Sequence, residues 1–351
     1  MTNTRNIQNY CSNDHAIIGC SYWNPSIFPL NPNRYLIAVR ESTRQNCGGM
    51  IGTIVTLARF VFKPAISNIR IGSFNPNELI IKSKKQVIVR ICQQLPDSFN
   101  YDPNAYHRGH EDPRWIADGD RFYLLTSSER YARPNLFLTR VILIQHQTDN
   151  NTDSDLVKFG ETIELETLFD APYEQKNCMH VPLAVNEKPK KHSHWLLFVY
   201  QVSPALQLVW VDPKTGSTMS YDCLLHSLPP VNNMRGSSMF ISETNNTYLG
   251  FIHTSQPHIA SRDGLVLNIY HSYLIRLARE PMPNTTSWKW TITHKTPPLA
   301  MPIAKNEHAH RIQFVTTITQ RDSEFWISMG DMDCDSHILR IPKESLLKLL
   351  H

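Results

Sequence analysis

Apolar residues come in short unbroken runs along this chain, and Asn, Asp, Gly or Pro closes most of them. Tyr35-Leu36-Ile37-Ala38-Val39 ends at Arg40, and Arg121 to Thr126 follows the turn Asp118-Gly119-Asp120. Trp195 to Val202 and Leu206 to Val211 follow one another closely; Tyr248 to His253, Leu265 to Tyr273 and Glu324 to Met329 complete the set. Runs of this length between turn formers predict β-strands and an all-β fold. Long stripes with a 3.6-residue period are rare, and 23 prolines are scattered throughout, which argues against helices. One exception is the stretch from Pro342 to Leu350, where Leu346, Leu347, Leu349 and Leu350 form the apolar side of an expected helix.

The runs fall into five segments with a shared outline, roughly 16–95, 108–165, 170–225, 233–290 and 297–351. Each opens on a short polar motif, continues as a strand ending in polar residues, and then returns. The motifs are Asn24-Pro25-Ser26, Glu111-Asp112-Pro113-Arg114, Lys176-Asn177, Arg235-Gly236-Ser237-Ser238 and Asp331-Met332-Asp333. A repeat near ~50 residues predicts propeller blades, so the expected architecture is one five-bladed β-propeller over residues 1–351. The innermost strands of a propeller start around one axis, so motifs recurring once per blade would converge on one pocket. Gly48 to Ile69 fits the blade outline poorly and reads as an insertion or a short helix.

Composition narrows the class. A hydrophobic fraction of 41% supplies a large core, and 19% charged residues is ordinary for a globular chain and far from a disordered one. The formal charge of +4 is spread over both signs, and the run Lys188 to His192 reads as a solvated loop rather than a basic face, so nucleic acid is not an expected partner. The seven cysteines are scattered and never spaced C-x-x-C, which argues against a disulfide framework or a zinc site. Met1 to Asp14 is polar, and the longest apolar stretch, around Ile51 to Phe62, is too short to cross a bilayer; a cytoplasmic setting is the expectation.

Candidate chemistry centres on Glu111-Asp112-Pro113-Arg114. Proline fixes its own φ and biases Asp112 towards an extended backbone, which would aim a carboxylate and a guanidinium into one cavity. Glycosyl transfer needs such a carboxylic acid, because a proton must move to or from a glycosidic oxygen; a turn with a local ion pair is the plainer alternative. Lys176 and Asn177 are suited to hydroxyl or phosphate oxygens. Arg235 with Gly236, Ser237 and Ser238 combines a cation with small residues that permit close backbone approach. His253 closes its strand as a phosphate ligand or a hydrogen-bonded strand histidine, and Asp331 or Asp333 would grip sugar hydroxyls. His107 and His110 have zinc-like spacing but no third ligand, so neither metal nor cofactor is expected.

In order and spacing, Asn24-Pro25-Ser26, Arg40, Glu111-Asp112-Pro113-Arg114, Gln175-Lys176-Asn177, Arg235-Gly236-Ser237-Ser238, His253 and Ser328-Met329-Gly330-Asp331 resemble the β-mannoside phosphorylases and the related β-1,2-mannosyltransferases. The resemblance covers roughly 16–350 and implies a five-bladed propeller that inverts the anomeric centre. It implies Asp112 as the general acid. Glu111, Arg114, Lys176, Asn177, Arg235 and His253 would line the anion or acceptor side, and Asn24, Arg40, Asp331 and Asp333 would hold the sugar. Cys178 stands where the family has tryptophan, and Ser237-Ser238 replace its glycine-rich form. The partners so implied are a sugar donor (nucleotide sugar or sugar phosphate) and a glycan acceptor. A glycosyltransferase is expected slightly ahead of a glycoside phosphorylase or hydrolase, with a non-catalytic propeller that binds glycans or a protein as the alternative from another class.

Overall fold

The computed structural model describes residues 3–10, 21–42, 65–77, 86–96, 107–130, 133–143, 157–166, 177–203, 205–221, 225–226, 234–259, 266–283, 287–299, 313–331 and 335–350. Almost all of them are strand, and the sheets form a five-bladed β-propeller. The N-terminal strand β1 (Asn3–Tyr10) precedes the first blade, which is β2 (Ser21–Asn31), β3 (Arg34–Ser42), β4 (Ala65–Phe74) and β5 (Gln86–Gln94). A short strand β6 (His107–Gly109) runs parallel beside the start of β4. Blade 2 is β7 (Glu111–Asp118), β8 (Arg121–Arg130), β9 (Arg133–Leu143) and β10 (Val157–Glu164). Blade 3 is β11 (Met179–Val181), β12 (Leu196–Gln201), β13 (Gln207–Val211) and β14 (Thr218–Ser220). In blade 4, β15 (Leu225–His226) sits on the outer edge, and the first strand is broken into β16 (Met234–Gly236) and β17 (Ile241–Ser242). Both pieces pair with β18 (Thr247–Ile259), followed by β19 (Val266–Pro281) and β20 (Trp288–Lys295). Blade 5 is β21 (Gln313–Arg321), β22 (Glu324–Asp331) and β23 (Asp335–Pro342).

The fourth strand of blade 5 comes from the other end of the chain. β1 pairs antiparallel with β23, with Asn3 opposite Arg340, and parallel with β5, with Asn6 opposite Gln86. The N-terminal strand therefore completes the last blade and ties it to the first, closing the ring. The segment 16–95 and the segment 297–351 each carry fewer links than the closed ring has; residues 3–10 supply the missing one. The expected insertion is only partly visible: Ala65 to Ile69 are strand, and 48–64 lie outside the described residues. At the C-terminus a single helical turn, α1 (Lys343–Leu347), buries Leu346, whereas Leu349 is exposed.

The second strand of each blade reads as an unbroken apolar run because both of its faces are covered. Successive side chains on a strand point to opposite faces. In β3, Tyr35, Ile37 and Val39 enter the core shared with blade 5, while Leu36 and Ala38 enter the core shared with blade 2. In β8, Leu124 faces blade 1, and Tyr123 and Leu125 face blade 3. In β12, Leu196 and Phe198 face blade 2, and Leu197 and Val199 face blade 4. β18 divides Tyr248 and Ile252 from Leu249 and Phe251, and β22 divides Trp326 from Phe325, Ile327 and Met329. Five apolar cores result, one between each pair of neighbouring blades.

Charge joins the blades on the face where first strands turn into second strands. The loop after β11 places Glu187 against Arg279 of blade 4 and the next residue, Lys188, against Asp118 of blade 2. The side chains of Lys188 and Asp118 are each 1% exposed, which corrects the reading of Lys188 to His192 as a solvated loop. A lone buried ammonium would be strongly unfavourable, so its partner Asp118, itself paired with Arg121, is what permits burial. Arg279 is further held over the Trp288 ring at 4.5 Å. Arg321 donates to Asn77 Oδ1 at 2.6 Å, linking blade 5 to blade 1.

Because β1 fills two edges at once, deleting residues 1–10 is expected to lower stability by roughly 2–4 kcal/mol, the net worth of a few ladder hydrogen bonds, and to promote association through the bared edges. Urea unfolding and light scattering measure this; an unchanged midpoint would refute the closing role of β1.

Candidate active site

The starts of the first strands and the ends of the second strands meet at one mouth of the ring. β2 lies against both β7 and β21, which brings their opening residues together. Asn24 and Asp112 occupy equivalent places. Each precedes a proline, each has a positive φ (50° and 47°), and each falls where the ladder to the next strand skips a register step. Asp112 is thus not simply extended, as the following proline alone predicts: a β-bulge turns its backbone to the left-handed side and re-aims the carboxylate.

Asn24 Nδ2 donates to Asp112 Oδ1 at 2.6 Å. Arg40, at the end of β3, approaches the same oxygen at 3.9 Å and pairs with the buried Glu111. The local ion pair imagined between Asp112 and Arg114 is therefore replaced by one between blades. Asp112 keeps 14% of its side chain exposed, so its carboxylate reaches the mouth.

Arg114 has no exposed surface. Its Nε donates to the Ser237 carbonyl at 2.8 Å and its Nη2 to Asn177 Oδ1 at 3.2 Å, and the guanidinium lies 5.4 Å from the centre of the Phe314 ring. One side chain from blade 2 thus ties blades 3, 4 and 5 together across the axis. Burial pushes its pKa down from the ordinary arginine value, opposed by the charge of Asp112. Ser237 and Ser238 are also fully buried: Ser237 Oγ donates to the Val315 carbonyl, and Ser238 Oγ accepts from the Phe251 amide at 2.8 Å. The close approach expected of Gly236 is to protein, because a Cβ there would lie 2.0 Å from the Asn177 carbonyl oxygen. Blade 1 joins the same network: the Pro25 carbonyl accepts from Ser328 Oγ at 2.6 Å and Ser26 Oγ accepts from the Trp115 amide at 3.1 Å.

Arg235 is exposed and lies opposite His253 in the ladder. His253 is 2% exposed, stacked on Tyr270 at 4.9 Å and edge-on to Phe314 at 5.2 Å. Burial, with Arg235 and Arg114 adding to it, pushes the imidazole down to about 3, so it is neutral. Cys178, where the family has tryptophan, is buried, and burial pushes its thiol up to about 12 with Arg114 pulling the other way; it is a thiol, not a nucleophile. It lines a cleft of about 340 Å³ with Leu136, Phe198 and Tyr200.

The structure thus brings together Asn24, Arg40, Glu111, Asp112, Arg114 and Asn177, with His253 and Arg235 alongside. Lys176 and Asp333 lie outside the described residues, and of Asp331 only the strand position, opposite Gln313, is described. His110 Nδ1 lies 2.8 Å from Thr126 Oγ1, while the His107 side chain is outside the described residues. Among the described residues, no group of three potential metal ligands converges, and no helix is long and apolar enough to cross a membrane. Phe314 and Tyr270, which frame His253, carry no motif that would single them out in the sequence.

Strand order, register and mouth define a five-bladed propeller with one axial pocket. Solved structures share this fold. A β-1,2-mannobiose phosphorylase from Listeria innocua superposes with a TM-score of 0.56 at 16% identity, covering 96% of this chain and 94% of that one. A mannose phosphorylase from Leishmania mexicana, solved with phosphate ion, gives 0.50 at 13% identity over 97% and 87%. A structure from work on the GH130 family of mannoside phosphorylases, said there to contain hydrolases targeting β-1,2-mannosidic linkages in Candida mannan, gives 0.56 at 11% over 92% and 85%. No protein-family model and no curated protein sequence matches the chain.

His180 is buried like His253 and is likewise pushed down to about 3, by burial and then by Lys188. Both folded values lie below the ordinary 6.5, so between about 6.5 and 3 the unfolded chain binds protons that the native state refuses. Stability is then expected to fall as pH falls through that window, by up to about 1.4 kcal/mol per pH unit for each histidine. Urea midpoints at pH 6.5 and 5, above most carboxylate titration, check this; equal midpoints would refute it.

Proposed function

We propose that this chain is an inverting carbohydrate-active enzyme, a glycoside phosphorylase of β-mannosides, with Asp112 as the general acid. The observation that carries this reading is the setting of Asp112: a partly exposed carboxylate on a bulged inner strand, held by Asn24 and Arg40, within electrostatic reach of Arg114 and beside the exposed Arg235. One acid beside cations suits a reaction whose nucleophile is an anion. Asp112 gives its proton to the leaving glycosidic oxygen while a phosphate oxygen attacks the anomeric carbon from the opposite face. The glycosidic C–O bond breaks, a C–O–P bond forms, and the products are a sugar 1-phosphate and the shortened glycan. Hydrolysis would need a second carboxylate to activate water, whereas phosphate needs none.

Transfer from a nucleotide sugar, slightly preferred on residue types alone, would use the same acid and the same cations. The likeness in fold to mannoside phosphorylases turns the preference to phosphate, and their substrates supply the mannoside class. Arg235 is the exposed cation for the anion; Arg114 and His253, being buried, support it from beneath rather than touch substrate.

The test is incubation with β-1,2-mannobiose with and without phosphate, and separately with guanosine diphosphate mannose. Phosphate-dependent release of mannose 1-phosphate is expected. Asp112→Asn should lower that rate by about 10³-fold, with a stability change below about 1 kcal/mol. Mannose released without phosphate would make the protein a hydrolase, nucleotide release would make it a transferase, and silence with every donor would leave a binding propeller.

A further inference from the structure

Asn24 is 4% exposed and held from two sides. On one side its Nδ2 donates to Asp112 Oδ1 at 2.6 Å. On the other it rests on bare backbone: a Cβ added to Gly330 would lie 2.0 Å from Asn24 Oδ1, 3.2 Å from its Cγ and 3.1 Å from its amide nitrogen. Asn24 Oδ1 is buried and accepts no hydrogen bond among the described residues, so no second polar contact fixes the amide. Its pose is set by the carboxylate in front and by the missing side chain behind. Gly330 sits in β22 opposite Phe314 and Ser336, so blade 5 acts on the acid of blade 2 through a residue of blade 1.

Both donors that approach Asp112 approach the same atom. Asn24 Nδ2 and Arg40 Nη1 face Oδ1, at 2.6 and 3.9 Å. An oxygen that accepts from an N–H cannot also present its own proton in that direction. We infer that Gly330, by holding Asn24 against Asp112, is a positioning residue that makes Oδ1 the acceptor oxygen and Oδ2 the oxygen that carries the transferable proton. This rests on the reading of Asp112 as the general acid, and it adds which oxygen works and which distant residue decides it. Asn24 here acts on the acid, whatever it also offers a sugar.

Gly330→Ala forces a shift, and the end of the Asn24 side chain is the part able to move. The experiment compares the wild type, Asp112→Asn, Gly330→Ala and Asn24→Ala on two substrates: β-1,2-mannobiose, whose leaving group needs a proton, and 2,4-dinitrophenyl β-mannoside, whose leaving group does not. For Gly330→Ala and Asn24→Ala, kcat on the disaccharide is expected to fall about 10- to 100-fold. On the aryl mannoside it should fall less than about 3-fold, with KM nearly unchanged. The double variant should be no worse than Asn24→Ala alone, since both changes break one contact. If Asp112→Asn shows no such leaving-group dependence, the acid reading itself fails. If Asp112→Asn shows it while Gly330→Ala and Asn24→Ala lose equally on both substrates, or only in KM, the positioning role is overturned and the acid stands. Should Gly330→Ala fail to fold, Asn24→Ala alone decides by the same comparison.

Discussion

A blade of this protein has two apolar faces, and neither is covered until its neighbours are in place. That constraint shapes the rest of the molecule. The second strands send alternate side chains into opposite cores, so Leu36 and Ile37, one residue apart, belong to different interfaces. Each core is shared, so removing one blade would bare apolar surface on two others. Ring closure is then a condition for burying any core fully, and the molecule achieves it by borrowing β1 from the far end of the chain.

A closed ring leaves its axis as the place where backbone polar groups from five first strands face one another with little water. Buried polar groups must be paired, and here they pair between blades: Arg114 with Ser237 and Asn177, Ser237 with Val315, Ser328 with Pro25. The two ends of the axis differ. At one end, turns and ion pairs such as Lys188 with Asp118 seal the ring. At the other, bulges before Pro25 and Pro113 turn Asn24 and Asp112 towards each other. The roughly 20 Å of strand between Asp112 and Asp118 separates chemistry from fastening.

Charge follows the same division. Arg114 serves the scaffold while shaping the field at the mouth: it lowers His253 further and stands in reach of Asp112. A cation held by backbone carbonyl and amide oxygen, rather than by a carboxylate, leaves its positive charge available to the site. Arg40 is different, being half committed to Glu111. The mouth therefore contains one partly exposed acid in a field of positive charge, the arrangement that favours an anionic partner for the glycosyl centre.

The residue pattern by itself settled the strands, their number per repeat and the class of fold, because a fully buried strand must be written in apolar residues between turn formers. Tyr35 to Val39, Tyr248 to His253 and Glu324 to Met329 all lie inside observed strands. The recurring polar motifs also marked which ends of the strands to compare. Only the tertiary structure decided what each polar residue does. Arg114, Ser237 and Lys188 look alike in sequence to surface or ligand-binding residues, yet all three are buried, since burial depends on which blade lies opposite. The pairing of β1 with β23 and β5 was equally hidden: the partners stand more than eighty residues apart at their nearest, and pairing across such distances leaves no local trace. The backbone twist at Asp112 follows from a register skip against β8, a relation between two strands that no single stretch of residues contains.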